Sequence, residues 1–305
     1  MKPQIAVIGA GLMGHGIAQI FAASGHKVSL HDPDAKILGS AKDRIAAIFT
    51  LLEQDPAGMA GISYEPDFAT AVGDADFVFE AGPEKLPVKH AIFKNLGAKT
   101  KPSAILCTNT SAIPIGQIGA EVADKSRVVG THYWNPPHLV PLVEVVQAAE
   151  TSLATVEKTI ALLRDAGKSP VHVRRDIPGF IGNRLQHALK REAIALVADG
   201  VCDAETLDTV VKEGFGARMA VLGPLEQSDL VGLNLTLDIH KTLIEHLDRT
   251  AGPHPFLVDK VAKGELGMAT GRGFRDWTPQ QAAELRKRLS DFLAQSARAL
   301  RQKKR

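Results

Sequence analysis

Two residues suited to proton transfer, His132 and Glu144, lie in the segment VVGTHYWNPPHLVPLVEVV from Val128 to Val146. They are equidistant from His138, and the turn Asn135-Pro136-Pro137 lies between them. A chain folding back through that turn brings the two side chains together. Glu144 stands between Val143 and Val145, a setting in which an unpaired carboxylate is costly to bury. A histidine is a fitting partner, because the carboxylate fixes its tautomer and raises its basicity. Such a pair is a base with an orienting acid, which is what removal of a hydroxyl proton during alcohol oxidation requires. The same spacing also allows a structural His–Glu bond at a strand end, or no contact at all.

An alcohol oxidation needs a hydride acceptor, and the stretch from Ile5 to Asp32 is built to hold one. Ile5 to Ile8 reads as a short buried parallel strand. Gly9, Gly11 and Gly14 follow in G-x-G-x-x-G register around Ala10, Leu12 and Met13. Gly9 permits the tight turn, Gly11 lets the backbone approach a pyrophosphate, and Gly14 lets the helix pack on the strand. A helix from about Leu12 to Ser24 then aims its free N–H groups at the phosphates. Gly25 closes it, and Lys27 to His31 forms the next strand, ending at Asp32, eighteen residues past Gly14. A carboxylate there accepts both adenosine ribose hydroxyls and repels a 2′-phosphate, so the expected cofactor is NAD rather than NADP.

At 305 residues the chain has room for two domains, and its 45% hydrophobic and 23% charged residues are those of a soluble globular protein. A net charge of +2 gives no reason to invoke nucleic acid or a membrane surface as partner. The basic tail Arg301-Gln302-Lys303-Lys304-Arg305 reads as a solvated, frayed helix end. Met1-Lys2 and Ala22-Ala23-Ser24 mimic a secretory leader, but the glycine spacing and the polar His15 and Gln19 argue against one. Cys107 and Cys202 form no disulfide framework, Cys107 is expected to be buried, and a reducing cytoplasm is the expected compartment. The histidines show no metal-ligand spacing, so no metal is expected.

The elements that must position these residues alternate up to about residue 175. Strands are expected at Phe77–Phe79, Ala104–Cys107, Arg127–Gly130, Leu142–Val146 and Pro170–Val173, and helices at Ala35–Glu53, Leu86–Leu96 and Ser152–Ala166. That alternation implies an α/β, doubly wound, largely parallel Rossmann-type sheet. After Asp176 the pattern becomes helical, at Phe180–Asp199, Asp203–Glu213, Pro224–Leu247 and Pro279–Leu300. The expected organisation is a nucleotide-binding domain over 1–176 and an all-helical substrate and dimerisation domain over 177–305, joined at Asp176-Ile177-Pro178-Gly179.

Six motifs in order give the chain a wider likeness: GAGLMGHGIA, PEKLPVK from Pro83, NTSAIPI from Asn109, THYWNPPHLVPLVEVV, PGFIGNRL from Pro178 and GRGFRDW from Gly271. In these the sequence resembles the L-3-hydroxyacyl-CoA dehydrogenase family over nearly its whole length. The resemblance implies oxidation of a 3-hydroxyl to a 3-ketone, with His132 as general base and Glu144 as its partner. It implies that Ser111 and Asn183 hydrogen-bond the reacting oxygen. Glu84, Lys89 and Asn109 match cofactor positions beside the glycine loop, and Asn135 matches the Asn-Pro turn at the substrate.

Each of these residues has a plainer role open to it. Ser111 is suited to cap a helix near Ile113, and Asn183 to sit as an amide on a helix face. Glu84 and Lys89 fit a solvated pair and Arg184 a structural ion pair, while His138 either lines the substrate pocket or sits exposed in the turn. The interval from Asp34 to about Asp67 is shorter than in acyl-CoA enzymes and is interrupted by Asp55-Pro56-Ala57-Gly58. Together with Asn135-Pro136-Pro137, this resembles the lambda-crystallin branch, whose relatives act on small polar hydroxy acids or alcohols without CoA. A hydroxyacyl-CoA is the leading expectation. A small hydroxy acid or alcohol is the alternative, and a non-catalytic NAD-binding protein of the crystallin kind is the third. A homodimer is the expected assembly.

Overall fold

The structure is a computed structural model and describes residues 2–303. Met1 of the leader-like segment, and Lys304 and Arg305 of the basic tail, lie outside the described residues.

Eight strands form one sheet in the order β3-β2-β1-β4-β5-β6-β7-β8. They are β1 (Ile5–Ile8), β2 (Val28–His31), β3 (Ile62–Glu65), β4 (Phe77–Glu80), β5 (Ile105–Thr108), β6 (Val128–Tyr133), β7 (Leu142–Val146) and β8 (Ser169–Val173). All neighbouring pairs are parallel except β6 and β7. The helices between them are α1 (Gly14–Ala23), α2 (Ala35–Leu51), α3 (Phe68–Gly73), α4 (Leu86–Lys99), α5 (Ile115–Ile118) and α6 (Leu153–Asp165). This is the doubly wound arrangement expected from the alternating pattern. Its central strands β1, β4 and β5 are wholly buried, which is why they read as unbroken apolar runs. The strand order reverses between β1 and β4, and an open α/β sheet binds its ligand in the crevice at that point.

The remaining helices are α7 (Gly182–Ala198), α8 (Ala204–Glu213), α9 (Pro224–Val231), α10 (Leu233–Leu243), α11 (Pro255–Ala262) and α12 (Pro279–Lys303). The single helix expected over Pro224–Leu247 is broken at Gly232, whose φ of 97° no helical residue adopts. Edge strand β3 and helix α3 fall in the stretch that sequence reasoning left without structure. β3 has four residues and only half-buried or exposed side chains, so neither an apolar run nor an alternation marks it.

Two compact units divide the chain: Met1–Arg184 with Leu289–Arg305, and Leu185–Arg288. In the first unit, Ala294 of α12 joins Ile48, Leu52 and Leu139 in a small core, with Leu293 and Ala297 packed against it. Arg298 pairs with Glu53, and Arg301 donates to the Leu52 carbonyl at 2.5 Å. At Arg298 and Arg301 α12 is therefore tied down rather than frayed, because the two guanidinium groups find acceptors just past the end of α2. Cys107 is fully buried, and burial pushes its thiol well above the ordinary range. Among the described residues no helix is long and apolar enough to cross a membrane, and no cluster of ligating side chains fits a metal ion.

Candidate active site

The glycine loop lies where the sheet order reverses. Gly9 has φ 97°, and a Cβ there would stand 2.7 Å from the Ala81 carbonyl oxygen after β4. A Cβ on Gly14 would fall 1.6 Å from the Gly9 carbonyl, so α1 packs on the loop only without a side chain. A Cβ on Gly11, by contrast, would meet nothing within 4 Å. That open space above the start of α1 fits the approach of a pyrophosphate, so the residues present suit NAD. Leu12 is exposed on the turn, while Met13 packs inward against the core.

Asp32 is buried at the end of β2, accepting the Ala10 N–H at 2.8 Å and the Asp34 N–H at 2.9 Å. Its carboxylate thus joins the loop to the place where a ribose would sit. Arg44 of α2, a residue that sequence reasoning missed, donates to the Ala10 carbonyl at 2.9 Å and the Gly11 carbonyl at 3.3 Å. With Asp32 as the expected ribose acceptor, Asp32→Ala removes that acceptor together with the loop brace. NAD affinity is expected to fall at least about tenfold, with weaker discrimination against NADP, as read by NADH fluorescence titration.

The proposed base stands on the antiparallel pair. β6 and β7 fold back so that His132 and Glu144 are direct cross-strand partners. Both side chains are buried, and His132 Nδ1 lies 2.8 Å from Glu144 Oε2. A carboxylate only accepts, so Nδ1 carries the proton and Nε2 is left as the basic nitrogen. Glu144 Oε1 accepts the N–H groups of Ile181 at 2.9 Å and Gly182 at 3.0 Å, where α7 begins. Burial opposes ionisation of Glu144, but His132 and the two amides outweigh it and hold the carboxyl below its ordinary range. The rings of Trp134 and Phe180 flank the imidazole at centroid distances of 5.5 and 5.6 Å.

Asn183 follows in the first turn of α7 and donates its side-chain amide to the Ser111 carbonyl at 3.1 Å. Ser111 is exposed, and the capping role open to it falls to Thr110, whose hydroxyl accepts the Ile113 N–H at 3.1 Å. Ser111, Asn183, Glu144 and His132 are thereby linked through hydrogen bonds to one short segment. Asn109 accepts the Tyr133 N–H at 3.0 Å and ties the end of β5 to β6, and Asn135 is exposed in the turn after β6.

Glu84 is exposed and stands 3.4 Å from the amine of Lys89, whose side chain is buried, so only one side of this pair is solvated. Glu84 Oε1 accepts the Thr110 hydroxyl at 2.5 Å, the Ser111 N–H at 2.9 Å and the Ala112 N–H at 3.2 Å. Burial works against its ionisation, yet these donors and Lys89 keep its carboxyl below the ordinary value. The Lys89 side chain is 0% exposed and its amine is shared between both oxygens of Glu80 at 2.9 Å. Glu80 also accepts the Thr108 hydroxyl and the Gly82 N–H. The buried Glu80 and Thr108 went unnoticed in the sequence, because each simply ends a strand that reads as apolar. Arg184 reaches only the Pro178 carbonyl and, among the described residues, forms no ion pair.

His138 is half-buried rather than exposed, and among the described residues its Nδ1 has no hydrogen-bond partner. Burial first, then the nearby charges of His15 and Lys168, push it from 6.5 down to about 4. Between those values the unfolded chain binds the proton and the folded one does not, so stability falls as pH drops through that window. The total effect is roughly 3 kcal/mol at most. Chemical denaturation from pH 7 to 4 is expected to show that slope, and His138→Leu to flatten it.

Comparison with known proteins gives the family. Residues 4–177 match the model of the 3-hydroxyacyl-CoA dehydrogenase NAD binding domain, and residues 179–277 that of the C-terminal domain of the same family. L-carnitine dehydrogenase of Streptomyces griseus is 38% identical over 290 residues, covering 90% of this chain and 85% of its own. The 5-formyl-3-hydroxy-2-methylpyridine 4-carboxylate 5-dehydrogenase of Mesorhizobium japonicum is 33% identical over 93% of this chain and 94% of its own. A crystal structure of an enzyme of that activity, described as an NAD+-dependent dismutase, covers 99% of both chains with a TM-score of 0.91. The (S)-3-hydroxybutyryl-CoA dehydrogenase PaaH1 of Ralstonia eutropha, 28% identical, covers 91% of this chain and 100% of its own with a TM-score of 0.76.

Proposed function

The chain belongs to the 3-hydroxyacyl-CoA dehydrogenase family and is an NAD-dependent dehydrogenase, and from that premise we propose that it oxidises the secondary hydroxyl of a small polar hydroxy acid with His132 as base. The observation that carries the chemistry is the buried His132–Glu144 hydrogen bond at 2.8 Å. NAD, when bound, supplies the hydride acceptor. His132 Nε2 takes the hydroxyl proton, and Glu144 stabilises the imidazolium that results. The Ser111 hydroxyl and the Asn183 amide hold the reacting oxygen against the imidazole. In the reductive direction the imidazolium returns its proton to the ketone oxygen. Gly9, Gly11, Leu12, Met13, Gly14 and Asp32 hold the dinucleotide. Glu84, Lys89 and Asn109 shape the loops beside it, and Asn135 borders the substrate.

The preference for a hydroxy acid rests on the 38% identity with L-carnitine dehydrogenase, and the preference for a substrate without CoA also on structural likeness. The TM-score is 0.91 with the pyridine-carboxylate enzyme and 0.76 with the acyl-CoA enzyme. The family description favours the second reading, a 3-hydroxyacyl-CoA. NADH formation from L-carnitine, 3-hydroxybutyrate and 3-hydroxybutyryl-CoA decides between them. Turnover confined to the thioester overturns the first reading.

We propose nucleotide binding for the domain expected over 1–176, and substrate binding and dimerisation for the helical residues expected over 177–305, of which Leu185–Arg288 form a compact unit of their own while Leu289–Arg305 belong with the first. Support for a homodimer comes from the helical unit itself. Val221, Leu225, Leu230 and Leu233 are 63–83% exposed there, an apolar surface suited to a second copy of the chain. Sedimentation velocity tests this, with a monomer at micromolar concentration as the contrary result. With two free thiols, the setting we propose is the cytoplasm.

A further inference from the structure

Phe180 is one of two residues other than glycine with positive φ among those described, at 48°, and it follows Gly179 at 77°. A bulky side chain in this region is strained and persists only where its surroundings hold it. Here they do. The ring is 1% exposed, packed in the core with Ile115, Val146 and Val173, and its centroid lies 5.6 Å from that of His132. The next two residues, Ile181 and Gly182, are those whose N–H groups meet Glu144 Oε1.

From this we infer that Phe180 is a positioning residue for the His132–Glu144 pair. Its left-handed backbone turns the first amides of α7 onto one carboxylate oxygen, which leaves the other oxygen for the imidazole. The chain leaves β8 and must reverse sharply after Pro178 for both amides to face β7. Gly179 and Phe180 make that reversal. The two amides would otherwise be unpaired at the start of a helix, and the carboxylate satisfies both. With Oε1 so held, the carboxylate cannot rotate, and Oε2 stays aligned with Nδ1. Gly182 completes the seat, since a Cβ there would stand 2.4 Å from the Trp134 ring and drive the segment Ile181–Asn183 away from Glu144. Phe180 therefore acts through Glu144 and does not itself touch the reacting atoms.

This inference rests on the His132–Glu144 reading, and its test separates the two. Phe180→Gly keeps the left-handed conformation and loses the ring. Phe180→Val keeps apolar bulk but resists that conformation. If the backbone turn is what matters, Phe180→Gly retains at least about tenfold more kcat than Phe180→Val, although it melts earlier than the parent. Phe180→Val then loses at least about tenfold in kcat with little change in KM. L-carnitine and 3-hydroxybutyryl-CoA are the assay substrates. 15N NMR of histidine-labelled protein without substrate gives a second readout: one Nδ1–H tautomer for His132 in the parent and in Phe180→Gly, and a mixture in Phe180→Val.

The opposite ranking, with activity following buried ring volume, overturns the inference. So does a Phe180→Val protein with parental kcat and tautomer. Should Phe180→Gly fail to fold, Phe180→Asn replaces it in the same comparison, since asparagine tolerates positive φ. Full turnover by His132→Ala removes the base itself. A dead His132→Ala beside an unimpaired Phe180→Val removes only the positioning role of Phe180.

Discussion

Replacing His132 with alanine is expected to lower kcat for hydroxyl oxidation by at least about 100-fold. NAD affinity should stay within about twofold, because the imidazole is no part of the glycine loop. The partner substitution is the sharper test. Glutamine at position 144 has the shape of the native side chain, but its nitrogen carries two N–H groups and cannot accept. Glu144 now accepts on both oxygens, from Ile181 and Gly182 on one and from His132 on the other. Whichever way the amide turns, one of those donors faces an N–H group. If the oxygen goes to the helix amides, His132 Nδ1 must become the acceptor, and the proton moves to the nitrogen that should be basic. A loss of more than about tenfold in kcat is expected for Glu144→Gln, smaller than that of His132→Ala. Pre-steady-state NADH formation reads both, and near-native turnover by His132→Ala would falsify the proposed mechanism.

Lys89→Met should give the largest loss of stability. It leaves Glu80, which is 0% exposed, with its hydroxyl and amide donors but without its cation. Burial already pushes that carboxyl upward. Removing one partner of a buried ion pair costs about 3–5 kcal/mol. Adding Glu80→Gln should recover most of that loss, since the neutral amide still accepts from Gly82 or Thr108. Urea unfolding with and without NAD measures both variants. A residue whose role is cofactor contact predicts the reverse pattern: weaker NAD binding with an unchanged midpoint in the free protein.

The reading of the sequence succeeded where pattern and chemistry coincide. The symmetry of His132 and Glu144 about His138 becomes direct cross-strand pairing on β6 and β7. The glycine spacing becomes a loop in which two of the three glycines have no room for a Cβ and the third opens onto space. Its limits are equally specific. Glu80 and Lys89 meet only because the end of β4 and the first turns of α4 lie together, and nothing in the segment FVFE signals a buried carboxylate awaiting an amine. Arg44 grips the carbonyls of Ala10 and Gly11 from a helix that reads as amphipathic surface. The amides of Ile181 and Gly182 are backbone groups, invisible to any reading of side chains.

The return of Leu289–Arg305 to the first compact unit bears on how this protein can be dissected. A contiguous fragment ending near Arg184 would strip Leu293, Ala294 and Ala297 from Ile48, Leu52 and Leu139, leaving a bare greasy patch prone to clumping. The helical unit is thus an insert within its host rather than a tail upon it. To excise the nucleotide-binding body intact, the cut must be made twice and the two stumps rejoined.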